Sequence, residues 1–254
     1  MFTTNHFIWL AICAVLIPSG LVFLRKNKWP LSRVLTVCCA LAVLSEYIKV
    51  FSMIHMLPAA DSPGLYPFLE MGHLPFHLCT IQILLIFYAR FAKSGNVRDA
   101  VLAFMYPTGA IGAFCALLMP SIFPSSIDVS QAFTHPLAYQ YFLWHSALII
   151  LGFYIPLSGE IRLTKKHVFI TCGMLMAAAF VTIYLNSALS AASYEAGKPV
   201  YVDYLVNFFF TMQTPIGIAL TQKWHWILYY AVLHLIGFGV ITLMFLPFIR
   251  KSRR

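Results

Sequence analysis

The sequence predicts an all-α, polytopic membrane helix bundle of about seven transmembrane helices. Three observations lead there. Hydrophobic residues fill 61% of the 254 positions and charged residues only 10%, with a mean hydropathy of +0.81, which excludes a soluble globular domain. Apolar stretches recur at a length that can cross a bilayer, for which about 20 residues suffice. The basic residues gather in alternate loops between those stretches, the pattern that fixes orientation in a membrane.

The first span covers about residues 7–24. No Lys or Arg precedes it, and Arg25, Lys26, Lys28 and Arg33 follow it. That is the reverse of a secretory signal peptide, so the N-terminus is expected outside. The second span, about 34–55, carries Glu46 and Lys49 and runs outward. The third, about 74–91, opens within His73-Leu74-Pro75-Phe76-His77-Leu78-Cys79-Thr80-Ile81-Gln82. Pro75 suits the first turn of a helix, where its missing N–H would have had no partner. On such a helix His73 and His77 share a face, while Cys79 points away from His77. The remaining spans cover about 100–119, 139–158, 167–188 and 226–249. The stretch 204–220 is also apolar, but Asn207, Gln213 and Pro215 mark it as re-entrant or interfacial.

Arg90, Lys93 and Arg98 surround the end of the third span, Arg162, Lys165 and Lys166 follow the fifth, and Arg250, Lys251, Arg253 and Arg254 form the tail. The alternate loops hold Asp61, Glu70, Asp128, Glu195 and Asp203 against Lys198 and Lys223. The N-terminus is therefore expected outside and the C-terminus inside, with an odd number of spans. No repeat, linker or soluble catalytic domain is visible, so residues 1–254 read as one integral membrane domain. The net charge of +9 is spent on topology, and the expected partners are membrane lipids, not nucleic acid. Short loops and termini point to a multi-pass protein of a bacterial plasma membrane. Cys13, Cys38, Cys39, Cys79, Cys115 and Cys172 all lie in apolar segments, which argues against a disulfide framework.

Polar groups are costly in hydrocarbon and normally face a protein interior or a wet cavity. Here they concentrate toward the outer ends of four spans. His77 and Cys79 fall within roughly 8 Å of the start of span three, His145-Ser146 about 10 Å into span five, and Glu46 roughly 14 Å below the outer end of span two. Asn186 closes span six. Each has a bland description beside a functional one. Cys79 is either a nucleophile or a small buried residue like the other cysteines. His145 is either its base or an interhelical hydrogen bonder; His77 orients Glu46, meets a lipid headgroup, or is a satisfied core histidine. Glu46 is an intramembrane carboxylate whose charge Lys49, three residues on, can neutralise. Gln82 and Asn186 are either substrate-binding amides or interhelical contacts.

Leu74-Pro75-Phe76-His77-Leu78-Cys79, Glu46, and Phe142-Leu143-Trp144-His145-Ser146 resemble the YwaF-type bacterial membrane proteins, which group with the transmembrane protein 164 family of animals. The resemblance covers most of the chain in span number and motif order. It departs at Asn186-Ser187-Ala188, where bacterial members tend to have Asn-Tyr-Met. The resemblance implies a lipid acyltransferase or transacylase with Cys79 as acyl-accepting nucleophile, His145 as base, and no cofactor or metal. Two alternatives remain at this level. One is a seven-span zinc hydrolase using His73, His77, His145 and Glu46. The other is a non-enzymatic carrier or structural membrane protein, which internal pseudo-symmetry would favour.

Overall fold

The computed structural model describes residues 2–59, 62–195, 198–215 and 217–251. Asp61, Arg253 and Arg254 of the loop-charge reading lie outside them. The fold class is the expected helical membrane bundle. Its helices are α1 (Thr4–Lys26), α2 (Leu31–Met53), α3 (Leu78–Phe91), α4 (Asn96–Leu118), the single turn α5 (Ile122–Ser125), α6 (Pro136–Leu157), α7 (Lys165–Leu189) and α8 (Lys223–Lys251). Six of them are long and apolar enough to cross a membrane. The exception among the expected spans is α3, whose 14 residues extend only about 21 Å against a hydrocarbon core of about 30 Å.

The chain divides into two compact units. One comprises residues 1–70 and 79–163, the other 71–78 and 164–254. In the first unit α6 is the central element, packing on α1, α2 and α4. Its apolar residues go all round, with Phe142, Leu148, Leu151 and Ile155 buried, as expected of a helix enclosed by others. α4 is equally enclosed: every residue from Val101 to Ala110 is buried. These two helices cross at Gly152. A Cβ built there would lie 2.8 Å from the Ala110 nitrogen and 2.9 Å from the Tyr106 oxygen, so the backbones touch where only hydrogen fits. α1 is fastened to α6 by Trp9, stacked on Phe142 with ring centroids 4.8 Å apart and donating its indole N–H to the Ala132 carbonyl at 2.7 Å. α2 is fastened by Gln140, which donates to Ser45 Oγ at 2.7 Å. In the second unit α7 packs on α8.

Two antiparallel hairpins interrupt the helices, and the sequence reading contained neither. The first pairs β1 (His55–Ala59) with β2 (Ser62–Phe68), the second β3 (Ala191–Glu195) with β4 (Lys198–Tyr204). The alternation of Val200, Val202 and Tyr204 with Tyr201 and Asp203 is a legible strand signal, masked by the overall apolarity. The two hairpins also share a layout. Each follows the end of a long helix and joins a strand of 5 residues to one of 7. Each pairs its first residue with its last, His55 with Phe68 and Ala191 with Tyr204, and leads to a 3₁₀ turn, Met71–His73 or Phe208–Phe210, ahead of an apolar helix. Between the two sets of strands only Pro63 and Pro199 are identical at matching positions, so the repeat exists in layout and not in residues.

Gly152→Ala is expected to cost about 1–3 kcal/mol, the usual price of overpacking, because both nearest atoms are backbone. Gly173→Ala, with nothing within 4 Å of its Cβ, is the control. Unfolding midpoints in detergent measure the difference, and equal midpoints would mean that the α4–α6 crossing is not tight.

Candidate functional site

α3 begins four residues later than the sequence indicates. Pro75 does not open the helix, and His73 and His77 do not share a helical face. Instead Met71–His73 forms a 3₁₀ turn, Leu74 N–H donates to the Met71 carbonyl at 3.3 Å, and Phe76 N–H to the Leu74 carbonyl at 2.8 Å. Side-chain packing explains the delay. The Phe76 and His77 rings lie edge-on against Phe208, with centroids 5.6 and 4.7 Å away, and the Tyr204 hydroxyl accepts from Gly72 N–H at 3.2 Å. Those contacts hold the segment irregular against the helical preference of its sequence.

The shift changes the chemical setting of Cys79. It is the second residue of α3, half-buried, and the backbone N–H groups of Cys79 and Thr80 are directed at its Sγ. First-turn N–H groups have no helical partner and carry the positive end of the helix dipole. Lys49 and Glu46 act electrostatically on the same thiol. Lys49 Nζ lies 2.8 Å from Glu46 Oε2, so the pairing open to Glu46 in the sequence does form. Sequence reasoning treated Lys49 only as that partner; its i,i+3 spacing gave no sign of Cys79 nearby.

His145 is buried in α6, 3% exposed. Its Nδ1 sits 2.6 Å from the Tyr141 carbonyl. A carbonyl only accepts, so Nδ1 carries the hydrogen and Nε2 the lone pair, which is the tautomer a general base requires. The Tyr141 ring packs on the imidazole at 4.3 Å between centroids, its hydroxyl donates to the Ala116 carbonyl at 3.0 Å, and it lies within electrostatic reach of Cys79. Tyr141 is a further candidate that sequence reasoning missed, one turn before His145 in an aromatic stretch read as an interfacial belt.

The two amides take protein partners. Gln82 donates to Thr108 Oγ1 at 2.9 Å, tying α3 to α4. Asn186, fully buried, accepts from Phe208 N–H at 2.9 Å and donates to the Phe208 carbonyl at 2.9 Å and to Thr211 Oγ1 at 2.7 Å. It clamps a strained turn: Phe209 and Phe210 have φ of 56° and 55°, a left-handed region costing bulky residues about 1–3 kcal/mol each. Asn207 Oδ1, accepting from Met212 and Gln213 N–H at 2.9 and 3.0 Å, and the hydroxyls of Tyr229 and Tyr230, donating to the Phe210 and Thr211 carbonyls at 2.8 and 2.6 Å, complete the clamp. His77 belongs to this cluster, its Nε2 3.2 Å from the Gly72 carbonyl. Among the described residues no three His, Cys, Asp or Glu side chains gather as metal ligands.

The family model of the TMEM164 family matches residues 1–245. No curated protein and no solved structure matches the chain.

Asn186→Ala is expected to lower the local stability of residues 207–213 by about 1–3 kcal/mol, because it leaves the buried Phe208 peptide groups short of partners. Faster amide hydrogen exchange there, with α6 unchanged, is the readout; unaltered exchange would mean that Asn186 does not hold the turn.

Proposed function

The chain belongs to the TMEM164 family, and from that premise we propose that it transfers acyl chains between membrane lipids through a Cys79 thioester, with His145 as general base. The observation that carries this reading is the position of Cys79 in the first turn of α3, under two backbone N–H groups and beside the Glu46–Lys49 pair.

The reaction runs in two halves. The Cys79 proton passes to His145 Nε2, and Sγ attacks the ester carbonyl of a phospholipid. The ester C–O bond breaks, the lysolipid oxygen takes the proton back from His145, and an acyl thioester remains. In the second half a hydroxyl of the acceptor lipid gives its proton to His145 and attacks the thioester, restoring the thiol. Tyr141 holds the imidazole in the required tautomer, and Glu46 sets the position of Lys49. If the charge pattern of the loops fixes orientation as expected, this chemistry occurs toward the outer leaflet.

A carrier function is the second reading, favoured by the repeated helix, hairpin, 3₁₀ turn and helix layout, since many transporter folds are built from internal repeats.

Intact-protein mass spectrometry after incubation with a labelled phospholipid separates the two. Wild type is expected to carry a hydroxylamine-sensitive acyl adduct that Cys79→Ala lacks. His145→Gln, which keeps a polar side chain of similar size, is expected to slow adduct formation by about 10²–10⁴-fold. Equal lipid turnover in wild type and Cys79→Ala would sink the thioester route, and no turnover in either would favour the carrier.

A further inference from the structure

We propose that the groove between α2 and α3 is the subsite for one acyl chain of a membrane phospholipid, with the ester end at Cys79 and the methyl end toward Ala42. It rests on the reading of Cys79 as acyl acceptor for its direction, and on the groove itself for its occupant. Ala42, Val43, Glu46, Tyr47, Val50 and Phe51 of α2 and Ile83 of α3 line it, and it is an open depression of about 380 Å³. Val43, Tyr47 and Phe51 recur every four residues and form one stripe along α2. From Ala42 to Phe51 the stripe covers about 14 Å of helix, close to half of a hydrocarbon core of about 30 Å. That is the depth of a single leaflet and hence of a single chain.

The surroundings select hydrocarbon as the occupant. α2 is one of the six helices able to span a membrane, and Val43, Tyr47 and Phe51 are 57%, 62% and 65% exposed. A groove open on that face is bathed in acyl chains. Glu46 is the only acid among the lining residues, and the Lys49 ammonium 2.8 Å away neutralises it. Lys49 stands toward the Phe51 end, where it complements the phosphodiester of a phospholipid.

The geometry of α3 sets the direction. Ile83 lines the groove with residues 42–51 of α2, while Arg90, two turns on, donates to Thr36 Oγ1 at 2.5 Å. Rising numbers on α3 meet falling numbers on α2, so the helices run antiparallel. Cys79 precedes Ile83 by four residues, which places it on the same face about 6 Å nearer the Phe51 end. A chain lying in the groove with its ester by Lys49 therefore presents its carbonyl to Sγ.

Photolabelling of the full-length Cys79→Ala protein in nanodiscs with a phosphatidylcholine bearing a diazirine on its acyl chain tests the subsite without requiring chemistry at the thiol. Labelled peptides are expected to concentrate on residues 42–51. Val43→Trp, which fills the groove from an exposed position, is expected to reduce that labelling at least fivefold. Leu44→Trp, equally exposed at 54% but outside the lining, is expected to leave it within twofold. Excess unlabelled phosphatidylcholine is expected to compete, and excess free fatty acid is not. Equal loss in the two Trp variants, labelling spread evenly over all the spans, or displacement by fatty acid alone would overturn the proposal. Groove labelling together with a failed thioester assay would retain the subsite and discard the cysteine mechanism; the converse would retain the mechanism and discard the subsite.

Discussion

The close backbone approach of Gly152 of α6 to Tyr106 and Ala110 of α4 is the contact on which the rest of the first unit depends. Lipid offers little hydrophobic drive for helices to associate, so van der Waals contact and interhelical hydrogen bonds must hold them. With α4 seated in this way, α6 presents its other faces to α1 and α2. Each of those is joined to it by a polar side chain whose partner lies on the other element, Trp9 to Ala132 just ahead of α6 and Gln140 to Ser45. His145 stands in the same enclosed helix, two turns before Gly152. The candidate base is thus carried by the least compliant element of the unit, as a precisely held catalytic group requires.

The second unit is organised differently. Its irregular turn contains two consecutive phenylalanines in left-handed conformation, and strain of that kind persists only where surrounding contacts over-determine it. Asn186, Asn207, Tyr229 and Tyr230 supply those contacts, and the buried Phe208 ring packs against Phe76 and His77. The same packing keeps residues 74–77 out of the helix and lets α3 start at Leu78. An asparagine on α7 thus holds the strained turn on which Phe76 and His77 pack.

The candidate side chains were legible because polar residues in apolar spans stand out by composition. Cys79, His145 and Glu46 were identifiable on that ground, and the Glu46–Lys49 pair followed from spacing alone. Lys49 as a neighbour of Cys79 and Tyr141 as the partner of His145 were not, because each relation depends on where one element meets another or on which way a ring nitrogen faces. Gln82 and Asn186 were recognised as polar groups needing partners, but Thr108 and Phe208 lie 26 and 22 positions away and no sequence period links them.

The sequence by itself determined the solvent and the class of fold. At 61% hydrophobic residues the chain can be buried only in lipid, and a backbone in lipid must satisfy its own hydrogen bonds, which makes helices of bilayer length the solution. Those are local properties, carried by each stretch independently of the others. Tertiary structure alone decided where α3 begins, that two hairpins form between the helices, and which neighbours surround the thiol. Each of these rests on contacts between residues distant in the chain, whose energies exceed the small local preferences that sequence patterns report.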